Sequence, residues 1–257
     1  MNRIQKRDQW IVLSAIAGIT VLAWAYMAYE ARAMYETGTC QCAGMKMSGP
    51  DTNASSPATL FPLFLMWAEM MVAMMLPTAA PMILAFTALQ RQHSPETQPY
   101  GRTAFFTAGY LLVWTGFSVV AAVTQWALNA WDLLSPMMES ANRIFAGCLL
   151  LVAGLFQFVR LKTSCLARCR SRQNYLATGW RNSGWGSLAM GWDHGLQCTG
   201  CCWMLMALLF VGGVMNLWWI AFLSTFVLIE KVVPRVGYVT RFSGILLAAW
   251  GTWTLLS

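Results

Sequence analysis

Charged residues are scarce in this chain. Only 11% of its 257 residues are Asp, Glu, Lys or Arg, while 58% are hydrophobic; an average soluble domain carries roughly a quarter charged residues. A soluble protein of this length could not bury so much apolar surface in its core. In a bilayer, apolar side chains can remain on the protein surface, because they contact apolar lipid tails. The scarcity of charge therefore excludes an ordinary soluble domain and predicts an integral membrane protein.

The sequence also has little of what several functional classes need. It contains only two histidines, His93 and His194, and no Gly-x-x-x-x-Gly-Lys-Ser/Thr phosphate-binding loop. No Ser/His/Asp arrangement falls on a segment expected to face water, so we do not predict an enzyme. Because His93 lies in a loop, a haem would need His194 and a methionine as its axial ligands, and the sequence therefore favours a haem protein less than the other classes. The eight cysteines are too sparse for a disulfide scaffold.

Apolar runs of about 20 residues are long enough to cross a bilayer as helices. Seven such runs predict an all-α, polytopic transmembrane helix bundle with six or seven spans, since the last two runs are short. The runs are 10–29, 60–89, 104–130, 142–160, 185–212, 217–233 and 242–256. Between them we expect an extracytoplasmic loop at 30–58 and a basic cytoplasmic loop at 160–185. The chain, 1–257, is thus interpreted as a single membrane domain.

Basic residues are distributed unevenly between the two sides of this bundle. With the N-terminus inside, the outer segments hold only Arg32, Lys46 and Arg143, and the other 14 of the 17 basic residues lie on inner segments. Cytoplasmic loops of membrane proteins collect Lys and Arg. The bias predicts a cytoplasmic N-terminus in an inner (plasma) membrane. It also explains the net charge of +7 without nucleic acid as a partner.

The segment richest in chemistry lies inside the fifth apolar run. His194, Cys198, Cys201 and Cys202 stand at positions i, i+4, i+7 and i+8, which share one face of a helix. Imidazole and thiolate suit soft or borderline cations such as Cu(I) or Zn(II). Asp193 is a further candidate ligand, because charged groups within spans are costly and usually functional. One straight helix cannot surround an ion, so a second element is needed.

A face rich in methionine runs along the second apolar run. Met70, Met74 and Met75 stand near its middle, and thioethers are ligands for Cu(I) but poor ones for Zn(II). Glu69 is an intramembrane carboxylate and so a functional candidate. Two prolines further along are expected to break the helix at a site or cavity. Because the methionines and Cys198 lie at similar depths, we predict that the two faces meet around one ion.

These residues also have a simpler interpretation. Met is an ordinary adaptable filler of apolar cores, and a membrane cysteine is often a small packing residue. The glycines near Cys198 would then serve only close contact between helices.

Two further cysteine pairs lie outside these segments. Cys40 and Cys42 fall in the outer loop and are a candidate Cu(I) capture segment. Cys165 and Cys169 fall in the most basic inner loop, where neighbouring arginines favour thiolate and hence metal binding or redox reactivity. A purely structural role is equally open for this second pair.

Three motifs resemble those of the bacterial family designated domain of unknown function 2182, which comprises predicted metal-binding integral membrane proteins. They are W-x-x-M-x-x-A-M-M-x-P at 67–77, K-x-x-C-L-x-x-C-R at 162–170 and H-G-x-x-C-x-G-C-C-W at 194–203. The resemblance implies a membrane location and a bound metal, but no particular reaction. It does not include the outer loop.

The residues favour a soft-metal-binding membrane protein that handles copper, as a transporter, chaperone or assembly factor, with zinc as the other possible metal. A membrane or periplasmic protein would be its partner. One alternative is a membrane thiol-disulfide oxidoreductase, in which Cys198 and Cys201 exchange with a quinone or with the outer-loop cysteines. The other is a non-catalytic structural subunit of a larger membrane complex.

Overall fold

The computed structural model of the protein is built from helices. It describes residues 3–37, 57–94, 98–131, 133, 142–170, 180–181, 183–233 and 237–256. The helices are α1 (Arg3–Thr37), α2 (Leu60–His93), α3 (Tyr100–Ala130), α4 (Arg143–Phe156), α5 (Arg160–Arg170), α6 (Gly184–Ala207), α7 (Leu209–Gly212), α8 (Leu217–Val232) and α9 (Gly237–Leu256). A 3₁₀ turn at Pro57–Thr59 leads into α2. Every regular element in these ranges is helical, so the all-α prediction is confirmed for them.

Four helices are long and apolar enough to cross a membrane: Lys6–Ala33 within α1, then α2, α3 and Gly184–Gly212. Helices α4 and α5 meet at a bend of 63° and make a fifth candidate if the pair counts as one span. The expected six or seven spans are therefore not confirmed for the part of the chain that is described. Helix α8, with 16 residues, is too short. In α9, glycine, threonine and arginine residues lower the mean hydropathy.

Both segments expected to be loops contain helix. Helix α1 continues to Thr37, so the first eight residues of the expected outer loop are helical. Cys40 and Cys42 lie outside the described residues. Helix α5 occupies the start of the expected basic loop. Its buried residues Lys162, Leu166 and Cys169 recur every three or four positions, which is the pattern of an amphipathic helix.

Helix α2 forms the centre of the bundle, packed against α1, α3 and α8. It runs unbroken through both of its prolines, so the expected break is wrong. A proline at 77 cannot donate to the carbonyl of Ala73. Trp24 of α1 supplies the missing donor, with its Nε1 3.2 Å from Ala73 O. A neighbouring helix thus satisfies the freed carbonyl, as continuous helices in lipid require.

Glycines bring α3 and α6 into backbone contact. A Cβ on Gly109 would lie 2.1 Å from Leu188 O, and one on Gly191 would lie 1.9 Å from Phe106 O. Small residues at such crossings allow the close approach that holds membrane helices together. The contact fixes the register of the two helices and places Tyr110 of α3 beside Cys198 of α6.

We expect Gly109→Ala to lower the free energy of unfolding by about 1–3 kcal/mol, because its methyl group would push α3 away from α6. Gly116→Ala on the same helix is the matched control. Nothing lies within 4 Å of a Cβ at that position, so the change should be neutral or raise stability slightly through helix propensity. Denaturant titration of both variants in detergent measures the difference. Equal stabilities would show that the backbone contact is not tight.

A candidate metal centre

Three thiols of α6 lie together in the interior. Cys198, Cys201 and Cys202 are each exposed by no more than 2%. The Sγ atoms of Cys201 and Cys202 each lie 3.0 Å from the backbone oxygen of Cys198 and donate to it. The spacing that predicted a shared face for these residues has therefore produced a compact thiol cluster.

Cys198 is the point at which four helices meet. Tyr110 Oη of α3 lies 3.1 Å from Cys198 Sγ and also donates to Met75 O of α2 at 3.1 Å. Lys231 Nζ, in the last turn of α8, donates to Cys198 Sγ at 2.8 Å and to Thr78 Oγ1 at 2.9 Å. Cys198 thus lies beside an ammonium group as well as among other thiols.

His194 lies one turn before the cluster and is 4% exposed. Its ring stacks on Tyr110 and Phe106, with centroid distances of 5.5 and 6.1 Å. A cavity of about 50 Å³ adjoins it, which is room for one small ion or a water molecule. The cavity is lined by Thr78, Pro81, Met82, Cys169, His194, Lys231 and Val232.

The methionine face and the thiols share one buried core. Met70, Met74 and Met75 are exposed by no more than 2%, and Met75 is joined to Cys198 through the Tyr110 hydroxyl. This link uses the backbone oxygen of Met75, so a common depth and a common ion for the methionine and cysteine side chains stay predictions. The methionine that lines the cavity, however, is Met82 and not one of the three predicted methionines.

The two acidic candidates are placed elsewhere. Asp193 is exposed, whereas the adjacent His194 is buried, because neighbours on a helix point about 100° apart. The half-buried Glu69 interacts with Glu30 of α1. Within the described residues no group of three or more His, Cys, Asp or Glu side chains already has the arrangement that holds a metal ion.

Helix α5 is the second element next to the cluster. Cys169 is 9% exposed and lines the cavity beside His194. Cys165 is half-buried and packs on Gly200, where a Cβ would lie 3.1 Å from its Sγ. The six cysteines in the described ranges are all free thiols. The structure therefore brings this cysteine pair to the α6 thiols.

A buried ion pair holds α5 in this position. Lys162 is fully buried, and its Nζ lies 2.8 and 3.0 Å from the two carboxylate oxygens of Glu230 on α8. Lys162 also donates to Gln157, and Thr240 of α9 donates to Glu230 at 3.1 Å. The ion pair therefore ties α5, α8 and α9 together, directly beside Lys231.

From the sequence, Lys162 and Lys231 were predicted to be charges of inner segments, Lys162 also belonged to the motif at 162–170, and no role was predicted for Tyr110. The signal available for the lysines was their sequence context. Lys162 is in helical register with Leu166 and Cys169, and Lys231 follows Glu230 at the end of an apolar run. Both patterns indicate helix residues with a partner rather than loop charges.

These features define a helical, membrane-span-like protein with a buried cluster of soft donor groups. Residues 64–254 match the PpoB2 family, described as a copper chaperone. The match covers most of the chain, and the chain belongs to this family. It supports the predicted copper-related character, although the specific name domain of unknown function 2182 is not confirmed. No curated protein and no solved structure matches the chain.

Proposed function

We propose that this protein is a membrane copper chaperone that carries Cu(I) as cargo on the thiols of Cys198, Cys201 and Cys202. His194 and Cys169 lie at the edge of this site as further donors. The observation that carries the proposal is the thiol cluster itself, buried between α2, α3, α6 and α8 with the Lys231 ammonium 2.8 Å from Cys198 Sγ. Thiolates are the ligands that select Cu(I).

Charge balance favours this cargo. A Cu(I) ion bound by two of these three cysteines as thiolates carries one net negative charge, and a single ammonium neutralises it. Such compensation matters in a low-dielectric interior, where an unpaired charge is strongly destabilising. Zn(II) requires four ligands in a tetrahedron, whereas Cu(I) is stable with two thiolates.

Burial disfavours the oxidoreductase alternative. Disulfide exchange requires a thiolate that a partner can reach, and Cys198 and Cys201 are 1% and 2% exposed. The inner-membrane location, the cytoplasmic N-terminus and a membrane or periplasmic protein that receives the copper remain parts of the proposal. If the cysteines have only a structural role, either the wild-type protein binds no copper or replacing the cysteines leaves copper binding unchanged.

Elemental analysis and anaerobic Cu(I) titration of the purified protein test the proposal. We expect the wild-type protein to hold copper stoichiometrically and Cys198→Ser to lose it, because the substitution removes the thiol around which the others are arranged. Cys148→Ser is the matched control, since Cys148 is an exposed free thiol on α4. It should bind as the wild type does. Stoichiometric copper that survives Cys198→Ser would overturn the proposed site.

A further inference from the structure

Helix α5 presents two thiols toward α6. Cys165 and Cys169 are four residues apart, so both side chains lie on the same side of α5. Cys169 lines the same cavity as His194 and Lys231, and the Cys165 thiol packs against Gly200, the residue before Cys201. Both α5 thiols therefore lie next to the α6 cluster.

These thiols form a gradient of exposure. Cys165 is half-buried, Cys169 is 9% exposed, and Cys201 is 2% exposed. Gly200 lies beside Cys165, and even a single methyl group at this position would stand 3.1 Å from Cys165 Sγ. The glycine thus keeps the space between the outermost thiol and α6 open.

The outer surface of α5 is basic. Arg160 and Arg168 are exposed, while the buried ion pair of Lys162 with Glu230 holds the helix in place. The helix therefore combines a fixed inner side with an outer side that attracts anions. A thiolate complex of Cu(I) is anionic, so the exposed arginines are complementary to it.

We infer that α5 is the transfer helix for copper, on which Cys165 takes Cu(I) from a thiolate-bound donor and Cys169 passes the ion to Cys201. The inference rests on the proposed function and adds the route by which the cluster is filled. Each step is a ligand exchange without redox change. The Cys165 thiol gives up its proton as its sulfur forms a bond to Cu(I), the bond between Cu(I) and the donor sulfur breaks, and the proton goes to the released donor thiolate. The later transfers balance in the same way, because the receiving thiol, Cys169 and then Cys201, passes its proton to the thiolate that releases the ion.

The donor is defined by its chemistry, a thiolate complex of Cu(I). It is either a small thiol compound or a protein that presents a cysteine pair. The same loading experiment with each kind of donor separates these two sources. If Cys165→Ser slows loading from the glutathione complex but not from the dicysteine peptide, the donor is a small thiol compound. If it slows loading from the peptide only, the donor is a protein.

Loading kinetics test the inference. Purified protein in detergent is mixed anaerobically with Cu(I)–glutathione or with a Cu(I)-loaded dicysteine peptide, and the copper-thiolate absorbance is followed in time. We expect Cys165→Ser to slow loading by about tenfold or more, in line with the effect of groups that support a metal site, while the final copper content stays unchanged. Gly200→Ala should slow loading with every thiol retained. Cys148→Ser is the matched control and should load at the wild-type rate.

The outcomes separate the inference from the proposed function. If the wild-type protein binds copper but Cys165→Ser and Cys169→Ser load at the wild-type rate, the transfer route is wrong. If Cys165→Ser loses copper at equilibrium, Cys165 is a ligand of the holding site and the inference is again wrong. If the wild-type protein binds no copper, the proposed function fails and the inference fails with it.

A chemical test avoids any failure of the Cys165 variant to fold. Folded protein carrying Cys40→Ser, Cys42→Ser and Cys148→Ser is treated with a charged, membrane-impermeant thiol reagent, and mass spectrometry identifies the modified cysteines. Modification at Cys165 should slow loading but should not release copper bound beforehand. Unchanged loading by protein modified at Cys165 would overturn the inference.

Discussion

Lys162→Met should lower the free energy of unfolding by about 3–5 kcal/mol, the loss typical of breaking a buried ion pair by removing one partner. Lys162 is fully buried, and its ammonium lies 2.8 Å from Glu230. Methionine preserves much of the side-chain volume but leaves the Glu230 carboxylate buried without its cation. Denaturant titration in detergent measures the change.

The double variant Lys162→Met/Glu230→Met is the decisive comparison. Replacing both partners of a buried pair by apolar groups is often neutral or stabilising, so this protein should recover most of the lost stability. Arg91→Met is a second comparison, because Arg91 pairs with Asp8 at 2.6 Å but is 17% exposed. It should lose less. A Lys162→Met protein as stable as the wild type would show that the pair does not hold α5 in place.

The ion pair also matters for the candidate metal centre, because it fixes the directions in which the neighbouring side chains of Glu230 and Lys231 point. Adjacent residues on a helix point about 100° apart. Glu230 therefore turns toward Lys162 on α5 while Lys231 turns toward Cys198 on α6. The Lys162 variant should consequently weaken copper binding as well as stability, since α5 and the end of α8 lose their common anchor.

Local periodicity was sufficient to predict the helical membrane class and the shared face of His194, Cys198 and Cys201. Counting residues from the ends of the runs also predicted that the methionines lie at the depth of the cysteines, and this stays a prediction. The helical class and the shared face could be predicted because they depend on the geometry of one helix and on the thickness of a bilayer. They need no knowledge of which helices touch.

The misassigned residues are those whose role depends on contacts between helices. Lys162 and Lys231 looked like cytoplasmic loop charges, because a rule based on counting cannot distinguish a solvated lysine from one paired inside the bundle. Asp193 was predicted as a ligand because a charged group within a span is usually functional; its side chain is exposed in the structure, and a ligand role for it stays a prediction. The two prolines of α2 were expected to break the helix, yet it is continuous, and Trp24 of another helix donates to the Ala73 carbonyl that Pro77 leaves free.

Lys231→Met should weaken Cu(I) binding by about 10- to 100-fold, the usual effect of removing a group that supports metal ligands. The ammonium of Lys231 lies 2.8 Å from Cys198 Sγ and is held by Thr78 at 2.9 Å. Without it, a copper bis-thiolate would carry an uncompensated negative charge inside the bundle. Competition titration with a coloured Cu(I) chelator measures the affinity.

Two further variants separate charge from packing at the same position. Lys231→Arg retains the cation and should bind more tightly than Lys231→Met. Tyr110→Phe removes the other polar contact of Cys198, at 3.1 Å, without changing the charge, and should cost less affinity than Lys231→Met. The loss of affinity in Lys231→Met should persist at high salt. The expected effect is electrostatic, and salt screens a buried pair of charges far less than an exposed one. Equal affinities for wild type and Lys231→Met would mean that the thiols bind copper in a form that needs no compensating cation.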